Sequence, residues 1–158
     1  MDKSSLMIGT LLFVIFMFPI IYVLRKQKSI EAKQKKALNT IAGKHGLKLD
    51  KFETIGHLSL GLDSSNKILV AIDPKMEIDH LVIDLKKVSK VNISKNTLRV
   101  DSNKERIIHL GLQLAEQNSS KVTELVFYDE EDYESTDADI RLHEAKKWDE
   151  IIHKNMAV

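Results

Sequence analysis

The run HLSLGLDSSNKILVAID (57–73) decides how this chain folds. Leu58, Leu60 and Leu62 alternate with Ser59, Gly61 and Asp63, the period of a strand with one apolar face. Ser64, Ser65 and Asn66 supply turn chemistry before KILVAID (67–73), a second short apolar run, so the pair reads as a β-hairpin. Downstream, Pro74 breaks the chain and the pattern repeats. HLVIDL (80–85), VSKVNIS (88–94), TLRV (97–100), IIHLGLQL (107–114) and VTELVFY (122–128) read as strands, with polar turns at 101–104 and at Asn118 to Ser120. About seven short strands at regular spacing, with no helix between them, predict an antiparallel sandwich or barrel.

The strands end at DEEDYESTDAD (129–139), which holds seven acidic residues and no basic one. Its Asp137 and Asp139 make a D-x-D fragment without the glycine and the glutamate spacing of an EF-hand loop, so the run reads first as a solvated loop. A weak calcium site or a lure for a basic partner is the alternative. ADIRLHEAKKWDEIIHKNMA (138–157) then changes to a helical period, with Leu142, Ala145, Trp148, Ile152 and Met156 on one stripe. Thr136 or Asp137 can cap this helix, expected over about 137–155. Trp148, the only tryptophan, is expected to anchor the helix and close one mouth of the sheet.

Upstream lies LMIGTLLFVIFMFPIIYVL (6–24), nineteen residues without a charge. At about 1.5 Å per residue it spans roughly 28 Å, close to the hydrocarbon thickness of a bilayer. A cleaved signal peptide would carry its charge before the apolar run and end in small residues, whereas Ile21, Tyr22, Val23 and Leu24 are bulky and the cations follow. The run therefore reads as a retained transmembrane helix, and Pro19 within it is tolerated by such segments. Arg25, Lys26, Lys28, Lys33, Lys35 and Lys36 come after the span, against Lys3 before it, which predicts a cytoplasmic carboxyl-terminal part at the inner or plasma membrane. KQKSIEAKQKKALNTIAGKHG (26–46) reads as a basic juxtamembrane helix in which Ile30, Ala37, Leu38 and Ile41 can line one stripe and Gly43 or Gly46 can end it.

Composition narrows the function. The net charge of +1 lacks the basic excess of a nucleic-acid-binding domain, and the absence of cysteine excludes disulfides, thiolate metal sites and thiol nucleophiles. His45, His57, His80, His109, His143 and His153 form no HExxH motif or other metal-ligand spacing, and there is no Walker loop, GxGxxG or GxSxG. His143 and Lys147, one turn apart, read as a surface pair rather than a base with its partner. No catalytic, cofactor or metal residue is expected.

Seven strands closed by one carboxyl-terminal helix with a central tryptophan resemble the pleckstrin-homology-like fold. HLVIDLKKVSKVNIS (80–94) resembles a strand pair of the bacterial members, and AKKWDEII (145–152) resembles their closing helix, so the likeness covers roughly residues 52 to 155. Together with the apolar run and its basic flank, it leads to an expected α+β fold in four parts: a short extracytoplasmic terminus (1–5), a transmembrane helix (6–24), a basic juxtamembrane helix (25–46) and a pleckstrin-homology-like β domain (47–158). It further implies that an open end of the barrel meets lipids or protein partners. The phosphoinositide-binding members resemble one another in a basic motif over the first hairpin, and here LDSSNK offers only Lys67, so that specificity is not carried over.

Three functional classes follow. The first is a membrane-anchored, non-catalytic adaptor that binds a protein or peptide, which an exposed edge strand beside the terminal helix would support. The second is a sensor of anionic lipid headgroups, using Arg25, Lys26, Lys28, Lys33, Lys35 and Lys36 with a second basic series, Lys86, Lys87, Lys90, Lys95, Arg99 and Lys104. The third is an enzyme with an unrecognised site, which a pocket gathering His109 with two carboxylates would favour.

Overall fold

A computed structural model describes residues 3–74, 78, 80–101, 104–131 and 137–156. The chain divides into two compact units, Met1–Lys36 and Ala37–Val158. A single helix, α1 (Lys3–Lys44), replaces the two helices expected of 6–24 and 25–46 and continues through Pro19. No glycine or turn signal falls between Leu24 and Lys36, and Lys, Gln and Ala there propagate a helix well. At about 1.5 Å per residue it is roughly 63 Å long, twice the hydrocarbon thickness. It is long and apolar enough to cross a membrane, and its apolar window is fully exposed.

The helix ends where Gly46 adopts φ +66°. Leu47 N–H donates to Ala42 O and Gly46 N–H to Gly43 O, the paired bonds of a left-handed glycine cap. Of the expected stripe only Leu38 is buried, with Ala42 one turn further on, while Ile30 and Ala37 stay exposed.

The second unit holds two antiparallel sheets. The first runs in the order β1 (Lys51–Ile55), β2 (Leu58–Asp63), β3 (Ile68–Ile72), β4 (Leu81–Asp84); the second in the order β5 (Val88–Asp101), β6 (Lys104–Glu116), β7 (Val122–Asp129). A short 3-10 turn at Leu85–Lys87 separates the sheets, its start capped by Asp84, and α2 (Ala138–Asn155) ends the described fold. The expected hairpin is β2 and β3. Two expectations change: β1 was not anticipated, and 88–94 and 97–100 are one long strand, because Lys95 and Asn96 extend the ladder to β6 instead of turning. No closed barrel forms among the described residues.

One core lies between the two sheets and α2. Leu58, Leu60, Leu62 and Leu69 from the first sheet meet Leu110, Leu112, Leu114, Leu125 and Phe127 from the second. Ala145, Trp148 and Ile152 of α2 join them as expected, with Leu142 and Met156 partly buried. Each fully buried leucine contributes roughly 2 kcal/mol of transfer free energy. Asp137 caps α2 through Asp139 N–H; Thr136 and the acidic residues 132–136 lie outside the described residues.

Candidate functional site

Among the described strands β1 is an edge strand of its sheet, next to β2. Its register sets Glu53 opposite Leu60 and Ile55 opposite Leu58, so Glu53 shares the core-facing side of the strand. A carboxylate there needs partners, since an unpaired buried charge is costly. It finds three bonds on α2. Trp148 Nε1 donates to Glu53 Oε2 at 2.7 Å, and Lys147 Nζ donates to both carboxylate oxygens at 2.8 and 2.9 Å. Trp148 is therefore both the expected closing anchor and a donor, while Lys147 serves Glu53 and not His143.

A second contact lies about two turns away along α2. Gly56, at φ +60°, passes close to Arg141, and a Cβ built there would sit 3.2 Å from its Nη2. Arg141 is nearly buried and donates to Glu144 at 2.8 Å. Between strand and helix remains an open groove of about 490 Å³, lined by Asp50, Lys51, Phe52, Glu53, Lys147, Trp148 and Ile151. The bonded pair Trp148 and Glu53 and the cation Lys51 are among its lining.

The opposite face of this sheet is locked by carboxylates. Asp63, 1 % exposed, accepts from Lys48 N–H at 2.8 Å, Asn66 N–H at 2.9 Å and Asn66 Nδ2 at 2.8 Å. Burial works to raise its carboxyl, but the bonds from Asn66 and Lys48 prevail and hold it below the usual carboxylate range. Asp50 is held low mainly by Ser64 N–H, with Ser64 Oγ adding a second bond. The turn between β2 and β3 thus centres on an anion, the reverse of a phosphate site.

His109 does gather two carboxylates. Its Nε2 lies 3.3 Å from Glu124 Oε1 and its Nδ1 3.5 Å from Asp129 Oδ2, with Gln113 Nε2 3.4 Å from the same glutamate oxygen. These residues alternate with Leu110 and Leu112 and so lie on the outer face of the second sheet. Glu124 occupies the space over Gly111, where a Cβ would meet its Oε1 at 2.6 Å. The cluster ties β6 to β7, and no hydroxyl or thiol nucleophile bonds to its ring. Elsewhere, His57 pairs with Asp73 at 3.6 Å, the His45 and His80 rings are 6.3 Å apart, and His153 accompanies Asp149. Among the described residues no group of three or more potential ligands is arranged to hold a metal ion.

The basic residues split into separate sets. Arg25, Lys26, Lys28, Lys33, Lys35 and Lys36 are exposed on α1 and, at 100° per residue, occupy about half its circumference. Lys86 and Lys87 precede β5 and Lys90 lies near its start, Lys95 lies midway along it opposite Leu110, and Arg99 and Lys104 lie at the far end of the β5–β6 pair. Lys90 and Arg99 are roughly 30 Å apart along the strand, so the second series does not form one rim.

No protein-family model, no curated protein and no solved structure matches the chain.

Proposed function

We propose that this chain is a single-pass membrane-anchored, non-catalytic adaptor whose strand-rich unit faces the cytoplasm and binds an extended peptide of a protein partner along β1, beside α2. The observation that carries this reading is the open groove between an edge strand and a helix. An edge strand offers backbone donors and acceptors to a further strand, and pockets beside it select side chains. A volume of about 490 Å³ suits a few side chains, with the half-buried Phe52 and Ile151 as apolar contacts and Lys51 for an acidic residue.

The likeness to a pleckstrin-homology-like domain belongs to the same proposal. Four strands, then three, then one closing helix support it. The anion-centred turn around Asp63 argues against phosphate recognition at the β2–β3 turn. The anchor rests on the apolar run of α1, and the inward-facing orientation on the cations from Arg25 to Lys36.

The test compares tagged full-length protein from solubilised membranes with two variants of unchanged melting behaviour. Lys51→Glu turns the balanced charges of the groove, Asp50 and Glu53 against Lys51 and Lys147, to a net negative; Lys90→Glu makes the same change elsewhere, on the second sheet. A partner held by the wild type and the second variant but lost from the first is the expected result. Equal retention by all three removes the groove from the account.

A further inference from the structure

Because α1 is one helix from Lys3 to Lys44, its register runs unbroken from the apolar run into the basic segment. At about 100° per residue, Tyr22, Arg25, Lys26 and Ser29 fall within one arc of roughly 100°, at the spacing i, i+3, i+4 and i+7. Neighbours three and four residues apart stand about 5–6 Å from each other at their Cβ atoms, so the four share one patch. All four are exposed, and none of these side chains makes a hydrogen bond or ion pair among the described residues.

The patch has one chemistry. A phenol, a guanidinium, an ammonium and a hydroxyl all donate, and two of them are cations. Glu31, the nearest carboxylate along the helix, lies on the opposite side, about 180° from Tyr22. Such a set fits the oxygens of a phosphate group: the guanidinium spans two of them, the ammonium adds a point charge and the hydroxyls complete the shell.

The position along the helix selects where that phosphate comes from. The apolar run ends at Leu24. Arg25, Lys26 and Ser29 follow it by about 1.5, 3 and 7.5 Å, and Tyr22 lies about 3 Å inside it. The polar layer of a bilayer adds roughly 5–8 Å to each side of the hydrocarbon, so the patch spans headgroup depth. A tyrosine there keeps its ring apolar and its hydroxyl wet. A choline headgroup would set its own cation against Arg25 and Lys26, whereas a lipid of net negative charge complements them.

We infer that Tyr22, Arg25, Lys26 and Ser29 form a site for the phosphate of one anionic phospholipid at the boundary of the span. The inference rests on the anchor proposed above, not on the peptide groove.

Native mass spectrometry of the full-length protein in detergent counts bound phosphatidylglycerol against phosphatidylcholine. Retention of the chain in carbonate-washed membranes tests the anchor by itself. One phosphatidylglycerol held in preference to phosphatidylcholine is expected. Arg25→Gln and Lys26→Gln should each weaken it about fivefold. Tyr22→Phe with Ser29→Ala, which leaves the charge unchanged, should also weaken it about fivefold. Gln27→Ala, at the same depth but about 140° round the helix from Tyr22, should leave it unchanged. Equal retention of the two lipids, indifference to Tyr22→Phe with Ser29→Ala, or an equal loss with Gln27→Ala overturns the site. So does displacement of the lipid by excess inorganic phosphate, which would assign the patch to a soluble anion.

Discussion

Every residue of β2 is buried, whereas β5 from Lys95 to Asp101 is exposed along its length. Both strands alternate, and both face leucines on one side; the difference lies in what covers the other side. Over β2 the chain leaving α1 folds back, with Leu49 against Gly61 and Lys48 bonded to Asp63. Nothing described covers the outer part of β5. β2 is thus held on both faces, whereas the outer part of β5 is held chiefly by its pairing with β6.

Substitutions can break this contrast, starting with the leucines. Leu60→Ala should cost about 2–5 kcal/mol, from lost burial plus a cavity, whereas Leu98→Ala should change stability by less than about 0.5 kcal/mol. Denaturant unfolding of the full chain in detergent measures both. Equal effects would mean that the outer part of β5 is buried in the folded protein.

Next comes the carboxylate network. Asp63→Ala strands the donors of Lys48 and Asn66 and should cost roughly 2–3 kcal/mol, while Glu124→Ala on the half-exposed outer face should cost under about 1 kcal/mol. The pH dependence has a definite sign. Both Asp50 and Asp63 are held below their ordinary value, so their stabilisation is present above about pH 4 and is lost as pH falls through the lower native values. Melting temperature should drop below pH 4, and Asp63→Asn should flatten that drop.

The smallest effects separate two glycines. A Cβ at Gly61 would meet Leu49 Cδ1 at 2.7 Å, on a covered face, and Gly61→Ala should cost about 1–2 kcal/mol. Gly111→Ala meets Glu124 from Oε1 at 2.6 Å to Cγ at 2.9 Å, but this half-exposed side chain can rotate towards solvent, so under about 1 kcal/mol is expected. Thermal melts rank the pair, and the reverse order would contradict the covered and open faces assigned here.

Much of this architecture can be read locally. The leucine alternation of 57–63 and the stripe through Trp148 each repeat within a few residues, which is why the hairpin and the closing helix match their expected places. β1 escapes such a reading because Glu53 stands at a core-facing position and breaks the apolar pattern. Its partners, Lys147 and Trp148, lie 94 and 95 residues away. The groove inherits that invisibility, as does the His109 cluster, whose carboxylates come from β7. The continuity of β5 was hidden for a different reason: Lys95 and Asn96 have the composition of a turn, yet the matching length of β6 keeps them in the ladder. Exposed cations look alike in sequence, and only the strand register separates Lys90 from Arg99.

The central claim is that a partner's chain lies along β1. Replacing Lys51 with a photoreactive amino acid in the full-length protein, and Lys121 in a parallel sample, tests it in intact membranes of the source cell. The account predicts a discrete protein adduct on irradiation at position 51 and none at 121. Adducts at 121 with none at 51 would contradict it.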